Sequence, residues 1–432
     1  MIAARLPYLP PEAAFAAFAA LPDLVFLDSA AAGDPRARIS YLCLGAQAGL
    51  ALASDPYATL RGWMAAQPAP RRPDSWPFPF AGGAVGWIGY DLAAREAGLA
   101  SRFPAIPGLP GGWFGLYIRL LGFDLAGQQL FYLGPEEELP AIAATLRAVP
   151  PPLPPVPRLD WTAETSRAAY LAAHERLREQ IAAGAVYQAN LTLRFAARRP
   201  ENLSLPALHR ALRQLSPAPF AAFLHHGEAG LVSASPERFL RLTAAGEVES
   251  RPIKGTAARH ADPGADAAAA AALRDDPKER AENLMIADLL RNDLGRVCAI
   301  GSVAVPELWA VESYAQAHHL VSAVTGRLRP GLDAFDLLAA TLPGGSITGA
   351  PKHRALQVID ALEAGPRGAY CGALAWIGFD GAMDSAILIR TVTATPTTLY
   401  AQAGGGITWD SRAAAEYDEA MVKIAPLLAL GR

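Results

Sequence analysis

Cysteine is scarce in this 432-residue chain, and long uncharged apolar runs are missing altogether. The three cysteines, Cys43, Cys298 and Cys371, lie far apart and form neither a CxxC pair nor a Cys/His cluster of metal-ligand spacing. Three thiols cannot build a disulfide framework, so a reducing, cytoplasmic setting is expected. No stretch of about 18 residues is apolar enough to span a bilayer. The first residues, MIAARLPYLPPEAAF, are broken by proline and lack the apolar stretch of a secretory leader. An excess of one charge is also absent. The 38 Lys and Arg balance 41 Asp and Glu, giving a net charge of -3 with no polybasic block. That balance argues against nucleic acid or a membrane as partner.

What remains is a globular composition, 52% hydrophobic and 18% charged. The length suits one large or two interlocked domains. Residues 149–157 read VPPPLPPVP, which neither a helix nor a central strand tolerates. They predict a linker between an N-terminal domain (1–148) and a larger one (158–432).

After the linker, Tyr170, His174, Leu177 and Ile181 recur at helical spacing, with Thr165 as expected N-cap and Gly184 as stop. A second helix is predicted over 277–292. Asp276-Pro277 opens it, Leu284, Met285, Leu289 and Leu290 supply its buried stripe, and Gly295 ends it. A last helix starts near Asp410-Ser411. Strand-like runs cover 81–91, 112–124, 186–195, 231–242, 368–379 and 385–395. The mixture predicts an α/β or α+β fold rich in antiparallel strand.

Four glutamates stand out. Glu279 and Glu282 share one face of the second helix, and Glu416 and Glu419 share one face of the last, with Lys423 four residues on. Two opposed carboxylate faces suit Mg²⁺, a hard cation that takes oxygen ligands. Solvated charged faces are the alternative, with Glu419–Lys423 an ordinary surface pair. PGGSITGAPK (343–352) offers hydroxyls and open backbone amides to an anion, with Lys352 adding charge; it also reads as a plain turn before a helix. It lacks the GxxxxGK[ST] spacing of a phosphate loop. Lys254 in RPIKGT is a nucleophile if burial deprotonates it, and otherwise a surface lysine. Glu237 in SASPERF is a candidate general acid. Arg390, closing the apolar run AILIR, suggests an anion partner or a structural salt bridge. AGGGI (403–407) presents closely spaced amides or a bulge.

In order along the chain, LRNDLGRV (290–297), HHLVS (318–322), PGGSITGAPK, MDSAILIRT and QAGGGI resemble the chorismate-utilising enzymes. That family holds the large subunits of anthranilate and aminodeoxychorismate synthases, with isochorismate and salicylate synthases as relatives. The resemblance covers nearly the whole chain and is densest over 165–425. It implies a sandwich of two large antiparallel sheets with helices outside and the substrate between. Three positions bear on the branch. Gln188 stands where isochorismate-type relatives carry a water-activating lysine. PIKGT replaces the PIAGT usual in anthranilate synthases. PGGSITGAPK replaces their PAGTLSGAPK. All three point to the branch that aminates chorismate at C4, giving 4-amino-4-deoxychorismate on the way to p-aminobenzoate and folate.

The resemblance implies further roles. Lys254 bonds transiently to ring C2 while Glu237 protonates the departing C4 hydroxyl. Mg²⁺ is held by Glu282 and Glu419, with Glu279 and Glu416 nearby. Arg390, Tyr370 and the amides of Gly404, Gly405 and Gly406 hold the enolpyruvyl carboxylate. His319, Ser346, Thr348, Gln188 and Lys423 line the pocket. FLDSA (26–30) and RISY (38–41) loosely match a tryptophan pocket of relatives, with Ser29 and Asp28 as contacts. Ala185 departs from the family's AG[DE]xxQ pattern, a change expected to act on the turn. No cysteine sits in the setting of a glutaminase nucleophile, so ammonia is expected from a separate glutamine amidotransferase subunit. Amination at C2, as in anthranilate synthase, and a non-catalytic chorismate binder are the competing readings.

Overall fold

The structure, a computed structural model, describes residues 1–314 and 317–432. Two antiparallel sheets, of twelve and ten strands among the described residues, form the body of the molecule. The strand Gly83–Ile88 is buried at every position, because one of its faces meets the opposite sheet and the other lies under covering structure. Trp76, Trp87, Trp113, Phe78, Phe80 and Trp376 fill one region of the interior. A fully buried ring of this size contributes roughly 2–3 kcal/mol through the area it removes from water. No helix among the described residues is long and apolar enough to cross a membrane.

Residues 150–160 form neither helix nor strand, as the prolines require. The segments flanking them nonetheless share both sheets. Val25–Asp28 pairs with Phe220–His226 in the larger sheet, and Gly83–Ile88 pairs with Ala373–Gly378 in the smaller. Core clusters likewise mix residues from both sides of the linker. The proline segment is therefore a connection across one scaffold, and the two segments do not carry separate cores.

Three runs that read as single strands each split between the sheets. Residues 112–124 form Gly112–Tyr117 in the smaller sheet and Leu120–Asp124 in the larger. Residues 231–242 become Ala229–Ser235 and Arg238–Leu242, changing sheet at Pro236 and Glu237. Residues 385–395 become Met383–Ile387 and Thr391–Ala394, changing sheet through Arg390, whose φ of 50° is rare for a side-chain-bearing residue. The last two crossings are stitched together. Ala234 N–H donates to Arg390 O (3.0 Å), and Ile387 N–H donates to Glu237 O (3.3 Å). Ser235 Oγ–H donates to Ile387 O at 2.7 Å.

The helices follow their caps. Arg167–Ala182 buries Tyr170, His174 and Leu177, but its N-cap is Ser166, whose hydroxyl accepts from Ala169 N–H (3.1 Å). Thr165 instead accepts from Arg194 N–H. Gly184 ends the turn at φ 72°. Pro277–Gly295 is capped by Asp276, which accepts from the amides of Lys278 and Glu279. Its buried face is Asn283, Ile286, Ala287, Leu290, Asp293 and Leu294, while Leu284 is 46% exposed. The apolar stripe misleads here because two polar residues, Asn283 and Asp293, are buried with hydrogen-bond partners. Asn283 Oδ1 accepts from Ser322 Oγ–H, and Asp293 binds Lys352. The final helix is Ala413–Leu428.

Candidate active site

The seam at Glu237 and Arg390 gathers most of the predicted side chains. Burial pushes the Glu237 carboxyl up to about 7, against the pull of Lys254, a Ser346 hydrogen bond, Arg36 and Lys423. Such a group is still partly protonated at neutral pH and can give its proton up to a leaving oxygen. Lys254 lies on the strand Ile253–Ala258, opposite Leu320. The pairing is irregular directly after it, where Gly255 takes φ 77°. A side chain at 255 would come within 2.9 Å of Glu279 Oε2, so glycine keeps the carboxylate helix close to the lysine strand.

Electrostatic influence links Glu282 with Glu279, Glu416 and Glu419. Burial raises the Glu282 carboxyl, as do the charges of Glu416 and Glu419, while Lys254 and Lys278 lower it. Burial and Glu282 raise Glu279. Glu416 is buried and accepts from Ser411 Oγ–H at 2.7 Å. Burial works against an ionised Glu419, but Lys423, 2.6 Å away, leaves its carboxyl below the usual range. Lys278, which the sequence reading did not single out, stands 3.8 Å from Glu282. Crowded carboxylate oxygens fit a hard divalent cation in donor chemistry. Among the described residues they are not drawn into a closed ligand cage.

Gly404, Gly405 and Gly406 lie on the strand Thr398–Ile407, paired on one side with Gln188–Arg198. The strand on the other side, Thr391–Ala394, reaches only Leu399–Ala401, so that edge of the glycines is open among the described residues. A side chain at 405 would meet Glu416 Oε2 at 3.5 Å and Lys423 Nζ at 3.6 Å. One at 406 would collide with Gln188 Nε2. Gln188 is fully buried with neither amide atom partnered. Lys423 Nζ donates to Gly404 O at 3.2 Å.

Burial lowers the Arg390 guanidinium, and no carboxylate lies within salt-bridge distance among the described residues. A half-buried arginine left unpaired is a ready anion site. Burial, with Arg36 and Arg390 nearby, lowers His319 to about 4, so its ring is neutral at physiological pH. Its Nδ1 lies 3.1 Å from Thr256 Oγ1.

Several expected contacts are placed differently. Tyr370 is buried, with its hydroxyl against the Cys371 thiol. Thr348 donates its hydroxyl to Gly344 O (2.8 Å), so it ties the loop to itself. Lys352 does not add charge for an anion: its Nζ donates to Asp293 Oδ2 at 2.5 Å and to Thr341 O at 3.0 Å. Asp28 and Ser29 do flank a cleft of about 760 Å³ between the sheets. Their polar atoms are partly engaged: Asp28 Oδ1 is buried without a hydrogen-bond partner among the described residues. The buried Asp28 carboxylate accepts from Arg213 (2.8 Å), and Ser29 Oγ–H donates to Ile39 O (2.6 Å). This larger cleft is set apart from the four glutamates, Lys254 and Arg390. A hollow of about 370 Å³ that includes Ile253, Arg36 and Tyr314 is nearer the chemistry.

Support beneath the seam comes from a buried ion pair. Arg367 donates to both Glu363 oxygens (2.9 and 2.7 Å), to Ile347 O and to Asn190 O, joining the Ser346 loop to the Gln188 strand. Both residues lie beyond the helix that ends at Leu362, with Gly365 and Pro366 between them, so no local rule indicated the pair or its burial.

A profile of the chorismate binding enzyme family matches residues 27–429. The chain belongs to this family of enzymes. It is 44% identical to aminodeoxychorismate synthase component 1 of Klebsiella aerogenes over 364 residues, 81% of this chain and 77% of that protein. It is 41% identical to aminodeoxychorismate synthase component 1 of Salmonella typhimurium over 410 residues, 94% of this chain and 88% of that one. The crystal structure of anthranilate synthase component I from Streptococcus pneumoniae superposes with a TM-score of 0.78 at 30% identity, covering 92% of each chain.

Proposed function

We propose that this chain converts chorismate and ammonia into 4-amino-4-deoxychorismate and water, with Lys254 as nucleophile and Glu237 as general acid. The observation that carries this reading is the position of Lys254. It sits on the strand Ile253–Ala258 directly before Gly255, where an added side chain would come within 2.9 Å of Glu279 Oε2, so the lysine strand runs beside the carboxylate helix. Likeness to aminodeoxychorismate synthase component 1 supports the C4 reading.

The neutral lysine amine attacks ring C2. The ring double bonds shift, and the C4–O bond breaks as Glu237 delivers its proton, releasing water. Ammonia then forms the C4–N bond, the C2–lysine bond breaks to release the neutral amine, and a proton from the new ammonium returns to the Glu237 carboxylate. Two easier substitutions replace one hard one. Arg390 and the open edge of Gly404, Gly405 and Gly406 hold the enolpyruvyl carboxylate. Neutral His319 bounds the ring pocket. Glu282, Glu416, Glu419 and Glu279 would hold Mg²⁺, which when bound would neutralise and orient the ring carboxylate. Calorimetry with MgCl₂ on the wild type and Glu282→Gln tests this, with binding expected in the first and lost in the second.

Ammonia would come from a separate glutaminase subunit, in keeping with the component 1 names of the relatives. Three free, buried thiols fit the cytoplasm. The deciding assay supplies chorismate, MgCl₂ and ammonium and identifies the product by chromatography. Aminodeoxychorismate is expected. Anthranilate as main product would move the chain to the C2 branch, and binding without turnover would make it a non-catalytic relative.

A further inference from the structure

Arg36 lies on the loop between the strands Val25–Asp28 and Ile39–Cys43, 200 residues from the seam in sequence. We propose that Arg36 is a positioning residue for the Glu237 carboxyl group, a bracket carried from the N-terminal half of the chain to the catalytic seam. The proposal rests on the reading of Glu237 as the acid for C4 amination.

The guanidinium is held from several directions. Asp34 accepts from it with both oxygens, Nε to Oδ1 at 3.0 Å and Nη2 to Oδ2 at 2.7 Å. A two-point clamp of this kind fixes the plane as well as the charge. The ring of Tyr314 lies beneath it, 4.0 Å from Cζ. Nη1 donates to Pro236 O at 3.4 Å, the carbonyl that precedes Glu237. The side chain is only 17% exposed. Arg36, with Pro35, Phe220 and Arg238, lines both the large intersheet cleft and the smaller hollow beside Ile253.

An arginine needed only to close its own loop would be satisfied by Asp34. The remaining contacts point across the molecule, to the Pro236 carbonyl and to Tyr314, whose ring lies 5.6 Å from that of His319. Around Glu237 the other polar and charged neighbours are Lys254 from its strand, Ser346 from the loop, Lys423 from the last helix and the Cys371 thiol. Arg36 is the one contribution among these from the N-terminal segment. Its charge favours the carboxylate, and its bond to Pro236 O holds the peptide from which that carboxylate hangs.

The test is the pH profile of kcat/KM for aminodeoxychorismate formation by Arg36→Ala, Arg36→Gln and Arg36→Lys. The acid must be protonated to work, so wild-type activity falls as pH rises through the Glu237 value of about 7. Losing the Arg36 charge moves this alkaline limb upward by roughly 0.5–1 pH unit. A fall in kcat of about tenfold with little change in KM for chorismate accompanies it. Arg36→Lys returns the limb towards wild type. Arg36→Gln serves if the alanine variant does not fold. An unmoved limb in a folded variant overturns the proposal, even if the rate drops, because loss of packing alone lowers rate without moving a titration. Failure of the wild type to make aminodeoxychorismate would instead sink the underlying reading.

Discussion

The crossing at Ile118 and Arg119 and the paired crossings at Glu237 and Arg390 share one backbone device and differ in what their polar side chains find. In each, a chain leaves one sheet and enters the other. Arg119 meets Glu138 at 2.8 Å, with both side chains about one-third exposed. Glu237 is instead part-buried and driven towards its neutral form, and Arg390 has no carboxylate within reach among the described residues. A strand that changes sheet must open its ladder, and this aims side chains into the space between sheets. Where the fold supplies the partner, the crossing is architecture. Where it withholds one, a ligand can fill the place.

The largest expected effect falls on the second kind of crossing. Glu237→Gln lowers kcat by about a thousandfold and abolishes the alkaline limb near 7, measured by chromatographic rate assay. A limb that persists in this variant would assign it to another group. Next, Arg390→Ala lowers kcat/KM by about a hundredfold, mainly through KM, because a charge-assisted contact of about 2–3 kcal/mol is lost. Equal losses from Arg119→Ala would erase the contrast between crossings.

The third effect is on stability. The folded-state Glu237 value lies above that of an unfolded glutamate, so its contribution is intact at pH 4 and is lost as pH rises through about 7. Glu237→Gln therefore melts higher than wild type at pH 8, by about 2 kcal/mol, and the gap closes at pH 5. A gap independent of pH would mean the carboxyl is not being forced neutral. Smallest is Arg119→Ala, which leaves kcat/KM unchanged and costs about 0.5 kcal/mol in a denaturant melt, as a partly exposed pair should.

Much of this was legible in the chain. The opening helix cap at Asp276 and the spacing of the four glutamates follow from local rules, whereas the glycine run, read as open amides or a bulge after a strand, lies inside the strand Thr398–Ile407. The ordered motifs carried the fold, which local pattern had left between α/β and α+β. The sheet changes were not legible, because apolar alternation runs on unbroken through residues 231–242 and 385–395 when a strand merely changes partners. Proline at 236 was the one local hint. Lys352 was misread because its partner, Asp293, lies 59 residues away. Arg36 went unnoticed since its effect depends on a carbonyl 200 residues distant. Asp28 and Ser29 were assigned from a loose match, and sequence does not display the buried pairing that engages Ser29 Oγ and one oxygen of Asp28 while leaving the other unpartnered.

Intact-mass spectrometry of the enzyme, quenched after mixing with chorismate and MgCl₂ in the absence of ammonium, bears most directly on the covalent step. The account predicts an added mass equal to chorismate less one water, mapped by peptide digestion to Lys254 and missing from Lys254→Ala. An unmodified protein, together with wild-type rates of aminodeoxychorismate formation by Lys254→Ala, would contradict it.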